Sequence, residues 1–419
     1  MSNFVYDILT SHYGQGNLKA GQIINVKVDY VMGNELSTIL SLQEFKKLGV
    51  KKVYAPEKII IIPDHFTPAK DIKTAQLCKV IRSFVKEFDI KNYYEVGRGG
   101  IAHVVVMEEG FATPGKLIIG GDSHTCTYGA LGVFATGVGS TDLAYAFAFG
   151  EIWLKVPPVI EIKISGKPQK GVYGKDIVLY ILKKITVEGG RYKAILFTGE
   201  TLQYLPINER FTLCNMSAEM GAKVGIIKPD KITWQYLDRI GAKYSGYESR
   251  TGGDKVDEKI EINIDNLEPQ IAKPFSPDNV CDIKNVEGIK VDQVVIGSCT
   301  NGYIEDLRLC AEILKGRKVH PDVRLIILPG SQKVYLEAVK EGLIRILTEA
   351  GAVVSPSTCG PCIGGYMGVL GEKEVCFATT SRNFKGRMGA LSAEIYLGSP
   401  ATAAATAING KITDPRNYL

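Results

Sequence analysis

The chain has 419 residues, 45% hydrophobic and 23% charged, with 50 basic and 45 acidic side chains and a net charge of +5. That length calls for roughly two to four domains with apolar surface enough for a real core. The mild charge excess, without any long run of like charges, argues against a nucleic-acid partner and is compatible with a small anionic substrate. No stretch approaches the roughly 18 apolar residues of a membrane span. Met1-Ser2-Asn3-Phe4 lacks a basic region followed by an apolar one, and nine cysteines at irregular spacing do not read as a disulfide framework. A reducing, cytoplasmic setting is expected.

Strand-like and helix-like segments alternate throughout, which predicts layered α/β domains. There is no internal repeat or low-complexity tract. Ile59-Ile60-Ile61-Ile62 is a short apolar run of the kind found in buried strands, stopped by Pro63 and followed by Asp64-His65. Lys116-Leu117-Ile118-Ile119 leads through Gly120-Gly121 to Asp122-Ser123-His124-Thr125. Gln293-Val294-Val295-Ile296 leads to Gly297 and Cys299, Ala352-Val353-Val354 to Cys359, and Val375-Cys376-Phe377-Ala378 to Ser381-Arg382-Asn383. Each run thus delivers chemically capable residues just beyond its carboxyl end, where open α/β sheets bind ligands.

Ile304 to Leu314 has helical spacing, with Thr300-Asn301 as its expected cap. Asn215 and Glu219, four apart, would share one face if that segment is helical. Gly252-Gly253-Asp254-Lys255 is polar and glycine-rich, and Pro269 to Lys284 is polar with three prolines. Boundaries near Pro157-Pro158 and residue 285 divide the chain into domains 1–157, 158–285 and 286–419. The Ala401–Ala407 run predicts a small-residue packing surface.

Cys299 sits on a strand-to-helix turn, and Cys359-Gly360-Pro361-Cys362 follows about sixty residues later. Three thiolates are one too few for a closed zinc site or a four-cysteine cluster, and would leave one iron of a cubane open for Lewis-acid chemistry. The same spacing also fits a buried cysteine unrelated to a structural C-x-x-C. His65, His103 and His124 lie near glycine or proline turns, and Asp64 and Asp122 stand close to two of them. A carboxylate beside an imidazole suits general acid work, although any single histidine fits a structural role, as His12 and His320 are expected to do. Arg382 and Arg387 flank a glycine and suit a di- or tricarboxylate, or else form a solvated basic loop. The glycines at 129, 132, 137 and 139 lack G-x-G-x-x-G and the P-loop pattern and read as close packing. Cys78, Cys126, Cys214, Cys281, Cys310 and Cys376 read as small buried apolar residues.

Taken together, Gly120-Gly121-Asp122-Ser123-His124-Thr125-Cys126-Thr127, Gly297-Ser298-Cys299-Thr300-Asn301-Gly302, Cys359-Gly360-Pro361-Cys362 and Arg382-Asn383-Phe384-Lys385-Gly386-Arg387 resemble the aconitase family. Ala218-Glu219-Met220-Gly221 and Asp64-His65 add to the likeness, which lies with the large chains of the two-chain 3-isopropylmalate dehydratases and homoaconitases and runs over nearly the whole sequence. It implies three α/β/α-layered domains around a central 4Fe–4S cluster, without the family's mobile fourth domain. It implies cluster ligation by Cys299, Cys359 and Cys362, with one iron open to the substrate hydroxyl and a carboxylate.

Asp64-His65 would help protonate the departing hydroxyl. Asp122 with His103, and His124 with Glu219, match the family's further carboxylate–imidazole pairs. Arg382 and Arg387 match its carboxylate-binding arginines, Ser123 and Asn215 its supporting polar residues, and Asn301 a residue beside the cluster. The family's proton-abstracting serine lies on the fourth domain, so a separate small subunit is expected to supply it. The implied activity is a hydro-lyase isomerising 2- and 3-isopropylmalate in leucine biosynthesis, with homoaconitate or a citramalate-type acid as alternative substrates. An iron-sensing RNA-binding regulator or an electron carrier is disfavoured by the absence of a basic stripe and by the histidine–carboxylate set. Three departures stand out. Met32-Gly33-Asn34-Glu35 replaces a His-Asp-like pair, and Val104 follows His103 where glutamine is common; both are expected to touch the substrate pocket. Ser381 replaces an asparagine and is expected to alter hydrogen bonding at the cluster's edge.

Overall fold

The computed structural model describes residues 3–245 and 254–419. Gly252 and Gly253 lie outside the described residues. Three sheets organise the chain. In the first, five parallel strands run in the order Asn92–Tyr93, Ile59–Ile61, Tyr30–Gly33, Leu117–Gly120 and Phe134–Gly137. The second has four parallel strands, Val224–Ile227, Ala194–Thr198, Val159–Ser165 and Glu258–Asn263.

The third sheet has seven strands. Its parallel part is Glu394–Leu397, Val375–Ala378, Gln293–Gly297, Arg324–Leu328 and Val353–Val354. An antiparallel edge of Val280–Asp282 and Gln270–Ala272 completes it. Residues 270–282, which precede the expected boundary at 285, therefore pair into the last sheet. A two-stranded antiparallel ribbon, Ile23–Lys27 with Glu151–Lys155, leads out of the first unit. Among the described residues no helix is long and apolar enough to cross a membrane.

The five apolar runs form strands because β-branched residues pack well on a pleated surface closed on both faces. Ile59–Ile61 is buried at every position, and so is Gln293–Gly297. All nine cysteines are buried and free of disulfides. The alanine-rich tail is the helix Pro400–Asn409, capped by Ser399 and buried from Pro400 to Ala407. Small side chains let it lie close against the third sheet.

Two local expectations change. Ile304–Leu314 is helical, but its cap is Tyr303, whose N–H donates to Asp306 Oδ2 (3.1 Å). Thr300 and Asn301 instead belong to a separate helical turn, Ser298–Asn301, because the chain reverses at Ser298 with φ +74°. Further back, the helix Ile207–Asn215 stops at Asn215, and Glu219 lies in the 3-10 turn Met216–Met220 that follows. The two residues converge on the same region without sharing one helical face.

The turn after Ile59–Ile61 is built on a carboxylate. Glu35 is completely buried, and its two oxygens accept the backbone N–H groups of Asp64 (2.9 Å), His65 (2.8 Å) and Phe66 (2.6 Å). Burial, and then the charge of Asp64, push the Glu35 carboxyl up, while His65 and the N–H donors oppose the shift. Its neighbour Asn34 caps the helix Glu35–Lys47 through a reciprocal pair with Ser37. The departure at residues 34–35 thus supports the Asp64-His65 turn from behind and does not touch the pocket, contrary to expectation. Glu35→Gln keeps the shape but sets an amide N–H against backbone N–H groups. It is expected to destabilise the protein by about 1–3 kcal/mol, read as a lower denaturation midpoint; an unchanged midpoint would show that the turn does not depend on this carboxylate.

Candidate active site

The carboxyl ends of the first and third sheets open onto one cavity of about 180 Å³. From the first sheet's loops it is lined by Asp64, His65, His103, Asp122 and His124. From the third it is lined by Ser298, Cys299, Cys359, Cys362, Ile363, Arg382 and Arg387. Ser123, Asn215 and Glu219 do not line it; each holds a residue that does. Val104 lies in the core on the helix Ala102–Glu108 and does not reach the cavity, which corrects the expectation that it touches the pocket.

Asp122 is the centre of the imidazole system. Its Oδ1 lies 3.0 Å from His103 Nε2 and 3.5 Å from His124 Nδ1 and accepts the His124 N–H (2.8 Å); its Oδ2 lies 4.0 Å from His65 Nε2. Burial works against ionising this carboxyl, but His103 and His124 outweigh it and hold it well below the ordinary range. Tyr128 OH meets the other nitrogen of His103 at 3.1 Å. Asp64 Oδ1 lies 2.5 Å from His65 Nδ1, and its Oδ2 accepts the Ala102 N–H (2.8 Å). Burial would lower the His65 pKa. Asp64, Glu35 and Asp122 overcome it and push the imidazole up to about 10. The carboxylates thus favour the protonated imidazole.

Cys299 reaches the cavity because Gly297 takes φ +131°, where a Cβ would lie 2.2 Å from Leu328 O. The second loop is tied to the acid pair: Cys359 N–H (2.9 Å) and Thr358 Oγ1 (2.8 Å) both donate to Asp64 O. Donor atoms of Asp64, His65 and Cys359 all lie within 4.8 Å of one another. The sulfurs face hydrogen-bond donors. Asn215 Nδ2 is 3.2 Å from Cys299 Sγ, Ser298 Oγ is 3.8 Å from Cys299 Sγ and 4.0 Å from Cys362 Sγ, and Arg387 Nη2 is 3.9 Å from Cys362 Sγ. Burial pushes the Cys299 thiol up to about 12 and the Cys359 thiol well up. Three buried cysteines free of disulfides, two of them with hydrogen-bond donors aimed at sulfur, fit a thiolate-bound metal group. Asn301 stands one layer back, with its amide donating to Asp306 Oδ1 (3.3 Å).

The two arginines differ in freedom. Arg382 Nε donates to both oxygens of Glu219 (3.0 and 2.9 Å), and its Nη2 donates to Ser123 Oγ (2.8 Å). Glu219 also meets His124 Nε2 at 2.8 Å. Burial opposes ionisation of Glu219, but His124 and Arg382 keep its carboxyl low. Arg387 has no such anchor, and its Nε finds no partner among the described residues. Asn383 pins the loop between them, donating to Lys273 O (2.7 Å) and Ile395 O (3.2 Å). Ser381 Oγ is buried without a partner among the described residues. Of the histidines set aside, His12 pairs with Asp29 (2.8 Å) and His320 lies near Asp322 (3.8 Å), both away from the cavity.

Sequence reasoning missed Glu35 as a turn anchor, Tyr128 and Lys175. Only Lys175 left a readable signal. In the helix Gly174–Ile185 it falls in line with Val178 and Leu182 on the buried stripe, where a lysine is out of place.

The description of the aconitase family (aconitate hydratase) matches residues 6–410. The 3-isopropylmalate dehydratase large subunit of Moorella thermoacetica is 52% identical over 413 residues, covering 98% of each chain. Those of Thermodesulfovibrio yellowstonii and Clostridium kluyveri are 52% and 51% identical, over 97% and 98% of each chain. The crystal structure of Thermococcus kodakaraensis aconitase X (holo-form) superposes with a TM-score of 0.51 at 11% identity, covering 90% of this chain and 88% of that one, a likeness of fold alone. With the match spanning nearly every residue and the relatives aligned end to end, the chain belongs to the aconitase family.

Proposed function

We propose that this chain is the large, cluster-bearing chain of a two-chain hydro-lyase that interconverts 2-isopropylmalate and 3-isopropylmalate by dehydration and rehydration. The observation that carries the reading is the meeting, around one cavity of about 180 Å³, of three buried cysteines, two arginines and the imidazole–carboxylate set on Asp64 and Asp122. The names of the full-length relatives support the substrate and the need for a second chain.

Cys299, Cys359 and Cys362 would hold a 4Fe–4S cluster, and Asn215, Ser298 and Arg387 would donate hydrogen bonds to the ligating sulfurs. When bound, the cluster supplies an open iron that polarises the hydroxyl oxygen to be lost. The chain's own residues do the rest. Arg387, and the part of Arg382 not engaged by Glu219 and Ser123, grip the substrate carboxylates. His65, oriented through Nδ1 by Asp64, gives the proton at its Nε2 to the departing hydroxyl, which leaves as water. It recovers a proton when water adds back at the neighbouring carbon. Asp122 and the His124–Glu219 pair hold the surrounding charge fixed while the C–O bond breaks. The carbon-bound proton goes to a base carried by the second chain, for which the reading assigns a serine on a mobile domain.

Anaerobic co-expression with the small chain and assay against 3-isopropylmalate, homoaconitate and citramalate tests the reading. Turnover of none of them would refute it. Cys299→Ser, prepared without oxygen, is expected to lose both the brown cluster absorbance and turnover with the small chain present; retained turnover would rule out the cluster. Arg387→Lys replaces a two-pronged grip by a point charge. Loss of one charge-assisted hydrogen bond, at about 1.5–3 kcal/mol, predicts a KM raised about tenfold or more, and an unchanged KM would remove Arg387 from the substrate site.

A further inference from the structure

Lys175 is 1% exposed at the start of the helix Gly174–Ile185, which belongs to the second sheet's unit. Its Nζ donates to two consecutive backbone carbonyls of the third unit, Thr379 O (2.7 Å) and Thr380 O (2.8 Å). These carbonyls immediately precede Ser381 and Arg382. Thr379 is also locked to the cysteine loop. Its Oγ1 accepts the Gly297 N–H (2.9 Å) and donates to Gly297 O (3.0 Å), and its carbonyl accepts a second bond from Thr300 Oγ1 (2.6 Å). One ammonium therefore bears on both the loop that carries Cys299 and the loop that carries Arg382.

The energetics need a reason for this lysine. Among the described residues no carboxylate forms an ion pair with Lys175, and a buried ammonium without a counter-ion is costly. Burial pulls it down to about 7, and Cys299, Glu219, Asp306 and Cys362 oppose the shift. An apolar side chain would suit this stripe of the helix better unless the charge is balanced by the site when it is filled. We propose that Lys175 is a positioning residue that clamps the Thr379–Thr380 carbonyls ahead of Arg382 and whose charge acts on the cysteine site. The inference rests on the cluster reading above. Lys175 touches no reacting atom: it acts on the substrate through Arg382 and on the cluster through the field of its charge.

Lys175→Met tests both parts with the loaded protein and the small chain. Losing the clamp frees the arginine loop, so KM for 3-isopropylmalate is expected to rise severalfold, with a smaller change in kcat. Losing a buried positive charge disfavours the more negative, reduced cluster, so its midpoint potential is expected to move lower. A purely structural role would leave the potential where it was. Either quantity remaining at the wild-type value, with the cluster loaded, overturns the proposal. If Lys175→Met does not fold, Lys175→Gln, which keeps a donor for one carbonyl but no charge, is read in the same way. A wild-type protein that holds no cluster would instead refute the function reading.

Discussion

The relay Arg382–Glu219–His124 is the interaction on which the geometry of the site depends. Each residue comes from a different unit of the fold, and both contacts are made by one carboxylate with almost no exposure. A carboxylate taken out of water must be compensated by partners at good geometry, and losing one partner leaves a charge with nowhere to go. The three units are therefore held in one arrangement by an electrostatic requirement as well as by apolar packing. Ser123 extends the relay by accepting a bond from Arg382 Nη2, and Asp122 continues it through His124 to His103.

Around this relay the loops are tied to one another by side-chain hydrogen bonds. The C-x-x-C loop hangs on Asp64 O, the Cys299 sulfur receives the Asn215 amide, and Glu35 gathers three N–H groups under His65. Such buried polar networks are rigid when every member is satisfied. Among the described residues, the buried polar atoms without partners include Ser381 Oγ and Arg387 Nε in the arginine loop and Asn215 Oδ1 and Asn301 Oδ1 near the cysteines. Polar groups without partners beside a preorganised frame are consistent with a site completed by its ligands.

The imidazoles divide by environment. His65 is favoured in its charged form by the carboxylates packed on it, whereas His103 and His124 share Asp122 and spend their remaining nitrogens on Tyr128 and Glu219. Three of the chain's five histidines thus meet at one cavity.

The local order of chemistry along the chain is legible in the residues themselves. Apolar β-branched runs end in polar turns, and the parallel sheet obliges those turns to share one edge, so strands such as Ile59–Ile61 and Val375–Ala378 and the residues beyond them were within reach of pattern reasoning. The helix Ile304–Leu314 was readable for the same reason of periodicity. What the pattern does not contain is direction. Asn34 and Glu35 look like pocket residues by position, yet they turn beneath the Asp64 loop; Val104 follows a site histidine but points into the core; Asn215 serves a sulfur. Lys175 sits more than two hundred residues from the carbonyls it binds. Periodicity and turn chemistry act over a few residues and are written in the sequence. The pairing of buried charges is decided only when distant segments are brought together out of water, and that belongs to the tertiary structure.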